Sequence, residues 1–219
     1  TGLDLSVKPG MNKGWFGNAD VAAGTEDRYS GKLMLNRFVG ENQFTVIGSM
    51  NNVNDNGYPG GGGGFRGGGQ NGLTSIKMGG FNFSTQSEKL ETGGSVNYNY
   101  KDADIISKQA SETFVSSETS SFKNAWNANR NKTTSLTADF RIEWKPDTMT
   151  TVIFRPRLTY GKNDNWSATN SFTFSQDPGY TTDEILNAAD NLSSLIPEEN
   201  IVNTIARNSL QKGDNFNVG

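Results

Sequence analysis

Three observations predict an all-β chain, specifically an antiparallel transmembrane β-barrel segment of about eight strands. Apolar and polar residues alternate with period two along most of the sequence. The connectors between alternating segments are short, then long, in turn. The mean hydropathy is only −0.62 and apolar residues make up 33% of the 219 positions, too little for one large solid core but enough for strands that are apolar on one face. The whole of 1–219 is therefore read as part of one barrel domain.

The strands follow in order. WFGNADVAAG (15–24) sets Trp15, Gly17, Ala19, Val21 and Ala23 on one side. YSGKLMLNRFV (29–39) groups Tyr29, Gly31, Leu33, Leu35 and Val39, and QFTVIGSM (43–50) groups Phe44, Val46, Gly48 and Met50. In TSIKMGGFNFS (74–84), Ile76 and Met78 are in phase, then the phase shifts to Phe81 and Phe83. A β-bulge at Gly79–Gly80 is the expected cause. LETGGSVNYNY (90–100) opposes Leu90, Thr92, Gly94, Val96, Tyr98 and Tyr100 to Glu91, Gly93, Ser95, Asn97 and Asn99. SLTADFRIEWK (135–145) and TTVIFRPRLTY (150–160) alternate most sharply, and the PDTM turn between them makes a hairpin. NFNVG at the end reads as the start of a ninth strand.

The connectors 9–13, 40–42, 86–89 and 145–149 are short; of those between them, 25–27 is short but 53–73, 103–132 and 163–212 are long. This is the pattern of short periplasmic turns and long extracellular loops. Two helices are expected in the last loop. One covers 181–196 with Thr182 as its cap; the other covers 197–210, with Pro197 in a first-turn position and Ile201, Ile205 and Leu210 on an apolar side.

Composition removes several kinds of chemistry. With no Cys and no His, disulfides, thiolate metal sites, cysteine nucleophiles and Ser-His-Asp catalysis are excluded. A net charge of −3 gives no reason to expect a nucleic-acid partner. No run of 18 apolar residues forms a transmembrane helix, which leaves transmembrane strands open. The tract PGGGGGFRGGGQNG (59–72) lacks the Gly-Lys-Ser/Thr of a P-loop and is followed by a strand, not a helix. It is read as a surface loop in which Phe65 and Arg66 are the large side chains.

Charges crowd the polar face of the 135–160 hairpin: Asp139, Arg141, Glu143, Lys145, Arg155 and Arg157. They describe either a charged lumen that contacts a plug or solute, or cross-strand ion pairing on a solvated face; for any single residue the second is the simpler expectation. Trp15, Tyr98, Tyr100, Trp144 and Tyr160 sit near expected strand ends on the apolar face, as interfacial aromatic girdles do. Asp102, Asp104, Asp164 and Asp177 fall in expected loops without calcium-binding spacing and are read as solvated charge. No catalytic, cofactor-binding or metal-binding residue is assigned, no enzyme activity is expected, and the ligand-binding residues are not identified.

LDLSVKPGMNKGWFGNADVAAGTEDRYSGKLMLNRF (3–38) resembles the plug-to-barrel junction and first strands of Bacteroidetes outer-membrane β-barrel proteins related to TonB-dependent receptors. KPGMNKGWFGN and IEWKPDTMTTVIFRP carry most of the resemblance. It implies a plug before residue 1, more strands after residue 219, and a cell outer-membrane location. It also implies outer-membrane lipid, a surface lipoprotein and, through the plug region, TonB as partners. The expected function is nutrient uptake or surface binding. The alternatives are a small self-contained structural or adhesive outer-membrane barrel and a soluble secreted β-sandwich binding module.

Overall fold

A computed structural model describes residues 13–55, 72–115 and 120–219. The described residues form a mostly antiparallel sheet of nine strands: β1 (Lys13–Ala23), β2 (Tyr29–Val39), β3 (Asn42–Asn51), β4 (Leu73–Gln86), β5 (Leu90–Phe114), β6 (Ser120–Trp144), β7 (Val152–Phe154), β8 (Arg157–Phe174) and β9 (Ile201–Val218). The strand order is β1-β2-β3-β4-β5-β6-β8-β9, with short β7 paired to β6. Among the described residues β1 and β9 are edges, and the sheet does not close on itself.

The chain divides into two compact units. One takes the described residues of Thr1–Asp102, Lys132–Asn163 and Gly213–Gly219; the other is Ala103–Asn131 with Asp164–Lys212.

In the first unit the register of β1 to β4 is continuous. Gly17 faces Leu35, Leu35 faces Val46, and Val46 faces Phe81. The turns that fix this register are tight. Glu26 and Asp27 both have φ of 56° between β1 and β2, where Arg28 N–H donates to Thr25 O at 3.3 Å, the pattern of a type I′ turn. Between β2 and β3, Gly40 at φ 64° leads a two-residue loop.

The bulge expected at Gly79–Gly80 is absent: Ile47 faces Gly80 and Gly48 faces Gly79 in an unbroken ladder. The phase shift has another cause. Ile76 and Met78 lie on the face shared by Asn51 and Ser49, whereas Phe81 and Phe83 lie on the face of Val46 and Phe44. Gly80 is small because Ile47 occupies the space above it; a Cβ there would stand 2.6 Å from Ile47 Cγ1.

The expected hairpin forms, with Ile142 opposite Phe154 and Trp144 opposite Val152, but its second strand is not continuous over 150–160: β7 is Val152–Phe154 and β8 starts at Arg157. Asp147 closes its turn by accepting from Met149 N–H at 2.9 Å and Thr150 N–H at 2.7 Å. Those bonds, the Met149 amide foremost, hold its carboxyl below the usual range. Pro156 has no N–H and separates β7 from β8, but its carbonyl still accepts from Phe140 N–H at 3.0 Å.

The second unit corrects three expectations. Most of 103–132 is strand, because β5 and β6 are 25 residues each. The segments DADIISKQASETF and SSFKNAWNANRNK are too polar for alternation to reveal them. The helix expected over 197–210 is the first part of β9, an 18-residue strand, and NFNVG is its end rather than a beginning. Ile201 and Ile205, four apart, share a face in a helix and in a strand alike; the β-branched run Ile201, Val202, Thr204, Ile205 favours the strand. The helix expected over 181–196 is α1 (Thr182–Asn187) followed by a 3-10 turn over Ala189–Ser194. Its cap is Thr181, one residue before the expected Thr182. Glu184 N–H donates to Thr181 Oγ1 at 3.3 Å while the Glu184 carboxylate accepts from Thr181 N–H at 2.8 Å, a complete capping box.

This capped segment covers strand aromatics. Ile185, Leu192 and Ile196 pack with Phe172 and Phe174 into a buried cluster, flanked by Phe122 and Ile201. Asn124 donates to Thr182 Oγ1 at 3.1 Å, and Lys108 pairs with Asp183.

Candidate functional site

The first unit has one sheet face that is apolar and open. Its rows run Trp15–Arg37–Phe44–Phe83, Gly17–Leu35–Val46–Phe81, Ala19–Leu33–Gly48–Gly79 and Val21–Gly31–Met50–Lys77. Leu33, Leu35, Val46, Met50 and Phe81 are all exposed, and Val21 is 88% exposed. Phe83 lies 5.9 Å from Phe81 and 6.2 Å from Phe140, and Gly94 provides the gap over which the Phe140 ring sits. The opposite face mixes polar and apolar residues, and there Asn36, Ser49 and Asn51 are buried along with Ile76. This inverts the ordinary distribution, in which strands turn apolar residues inward and polar ones toward water.

The aromatic residues expected as girdles are distributed along this face. Trp15 is near the β2–β3 turn end, with the Arg37 guanidinium 5.1 Å from its ring, and Trp144 ends β6. Tyr98 and Tyr100 are not at a strand end, because β5 continues to Phe114; Lys77 Nζ lies 5.6 Å from the Tyr100 ring. Tyr160 is the fourth residue of β8.

On the polar side of the β6–β7 hairpin one cross-strand ion pair forms as expected, Arg157 of β8 with Asp139 of β6, whereas Glu143 is paired along its own chain segment. Glu143 accepts from Arg141 at 2.5 Å and Lys145 at 3.0 Å, and Arg157 Nε lies 3.2 Å from Asp139. Arg155 has no ion pair among the described residues.

Sequence reasoning missed a second polar cluster, at the β1–β2 hairpin. Asn52 carbonyl oxygens, main chain and side chain, accept from the Arg28 guanidinium and Tyr29 N–H, both at 2.8 Å; its amide donates to Asp27 O at 2.8 Å. Asn51, fully buried, accepts from Asp55 N–H and donates to Asp55 O. Lys32 pairs with the buried Asp55 at 2.6 Å. A groove of 710 Å³ opens here, lined by residues including Asp20, Val21, Arg28, Tyr29, Lys32 and Asp55. The available signal was the run NNVND: asparagine tolerates left-handed backbone, and Asn54 has φ of 60°.

The carboxylates expected in loops do not converge, and three of them are in strands: Asp102 and Asp104 in β5 and Asp164 in β8. Asp102 faces Lys132 at 3.8 Å, Asp164 faces Lys212 at 3.6 Å, and Asp177 accepts from Gly179 N–H at 2.9 Å in a turn. Among the described residues no three acidic side chains gather as a metal site would require. Phe65, Arg66 and all of the glycine tract except Gly72 lie outside the described residues. Compared with family models, curated proteins and solved structures, the chain gives no match.

Proposed function

We propose that the chain is part of an outer-membrane β-barrel that acts as a receptor for uptake or surface binding of a nutrient. The apolar face of the first unit meets lipid, and the polar face lines the lumen. The observation that carries this reading is the inverted distribution: exposed Leu33, Leu35, Val46, Met50 and Phe81 against buried Asn36, Ser49 and Asn51. Lipid is the surrounding in which such a face is favourable.

The spacing of the aromatics supports it. From Leu90 to Tyr100 β5 advances ten residue steps. At about 3.4 Å per residue and a tilt of about 40°, they rise roughly 26 Å, against an apolar band of about 25 Å in outer-membrane barrels. Trp144 and Trp15 then mark one interface; Tyr98, Tyr100 and Tyr160 mark the other. Closure requires strands that pair with β1 and β9, since open edges are costly in lipid. The receptor role, rather than a purely structural one, rests on the resemblance of residues 3–38 and 142–156. Lipid, a surface lipoprotein and TonB are the partners proposed with it.

The decisive experiment is purification with and without detergent. The chain is expected to require detergent or vesicles to stay dispersed and to migrate differently on a gel before and after boiling. A monodisperse, folded chain in detergent-free buffer would sink the membrane reading.

A further inference from the structure

The β6–β7 hairpin places two like charges directly opposite each other. Ile142 faces Phe154, and Phe140 N–H donates to Pro156 O at 3.0 Å. Arg141 therefore stands across from Arg155. Because the flanking Phe140–Pro156 pair is hydrogen-bonded, the arginine pair is of the other kind, in which Cα atoms approach to about 4.5 Å and side chains are closest. Like charges in that arrangement oppose folding.

The surroundings relieve the repulsion only in part. Arg141, Lys145, Arg155 and Arg157 are set against Asp139 and Glu143, which are shared among Arg141, Lys145 and Arg157. Arg155 is left as surplus positive charge beside a groove of 480 Å³ whose lining includes Gly93, Ser95, Asp139, Arg141, Arg155 and Arg157. Gly93 keeps the floor low: a Cβ there would meet only Phe83 O, at 3.4 Å. Guanidinium groups are planar forks that take carboxylate or phosphate oxygens two at a time.

We infer that this groove binds an oxyanion, the carboxylate or phosphate group of a small solute, held between Arg141 and Arg155. The anion converts an unfavourable cross-strand pair into two charge-assisted hydrogen-bonding partners. The site is built on the polar side of the β6–β7 hairpin with adjoining residues of β5 and β8, and stands whether or not the apolar face meets lipid. Its failure is thus separate from failure of the membrane reading.

The test is thermal unfolding of the full chain in neutral detergent with inorganic phosphate or succinate at millimolar concentration, against sodium chloride at matched ionic strength. Either anion is expected to raise the midpoint by a few degrees over chloride; phosphate alone assigns a phosphoryl ligand, succinate alone a carboxylate. Arg155→Gln is expected to weaken binding at least tenfold by calorimetry. In chloride the same variant is expected to be as stable as the parent or more so, because the opposed charges are gone. Arg155→Lys keeps the charge but loses the fork and falls between the two. The inference is overturned if neither anion shifts the midpoint beyond chloride, or if Arg155→Gln leaves the shift unchanged.

Discussion

Phe174 and Val46 are both apolar strand residues, yet Phe174 is completely buried and Val46 is 41% exposed. The difference lies in what the chain places over them. In the second unit, α1 and the 3-10 turn after it lay Ile185, Leu192 and Ile196 on Phe172 and Phe174. In the first unit no described residue covers Leu35, Val46 and Phe81. A chain surrounded only by water gains by covering such a face, at about 25 cal/mol per Å². This chain supplies cover at one place and leaves a whole face bare at the other. The membrane reading proposed above would account for both choices, with water beside the capped segment and lipid beside the bare face.

The sharpest way to break the comparison is to remove the cover's anchor. Phe174→Ala leaves a cavity under Ile185 and Leu192 and is expected to cost about 3–5 kcal/mol of local stability. Hydrogen exchange should accelerate across 181–196 while β1 to β4 keep their protection. Uniform loss of protection in both units would mean that they do not respond separately.

Next is a charge on the bare face. Leu35→Arg, in the central row beside Val46, is expected to cost about 2–4 kcal/mol for folding into vesicles if that row lies near the bilayer midplane. A water-facing position would tolerate it within about 0.5 kcal/mol. Equilibrium urea titration in vesicles separates the two values, and Gln43→Arg, at an exposed position on the opposite face, is the control expected to fold nearly as well as the parent.

A smaller effect tests the hairpin that holds the bare face in register. Glu26 and Asp27 sit in the left-handed region, where residues other than glycine are disfavoured by roughly 1–2 kcal/mol. Asp27→Gly should stabilise the chain by about 1 kcal/mol, seen as a higher midpoint in denaturant with unchanged slope. A loss of stability would show that the Asp27 side chain contributes more than its backbone costs.

How far the sequence reveals the same contrast depends on which force builds each part. The bare face is legible because alternation is its cause: Trp15 to Ala23, Tyr29 to Val39 and Phe44 to Met50 each show it, and the register joins them as their patterns imply. Where small and polar residues fill the strands, as in β5 beyond Asp102 and β6 before Lys132, the alternation is lost and strand is taken for loop, although Ala103, Asn124, Ala125 and Ala128 are buried there. At Gly79–Gly80 the pattern is present but ambiguous. Apolar residues on the polar face mimic a bulge, and only the contact between Ile47 and Gly80 explains the glycine. In the candidate oxyanion groove every charged residue type is visible in the sequence, but the opposition of Arg141 and Arg155 is a matter of register, which single-strand periodicity does not fix.

The smallest expected effect is the dependence of the cover on pH. Thr181 N–H, then the Thr181 hydroxyl, hold the Glu184 carboxyl below its usual range. A carboxylate whose folded pKa is lowered adds stability that is complete above the unfolded value and is lost as pH falls through the folded one. The capping box should therefore be intact at neutral pH and weaken below the ordinary glutamate range. Exchange over 182–188 is expected to rise there in the parent after correction for the intrinsic rate. Thr181→Ala, which removes the cap at all pH values for about 1 kcal/mol, should already be fast at pH 7 and change little on acidification. Asp147 in the β6–β7 turn is lowered by a similar set of bonds, so its turn provides the comparison in the other unit. Acidification should loosen 147–150 in parallel with α1 but leave protection of the paired central strands β2 and β3 unchanged. If β2 and β3 loosen together with α1, the acid response is global and the capping box is not its source.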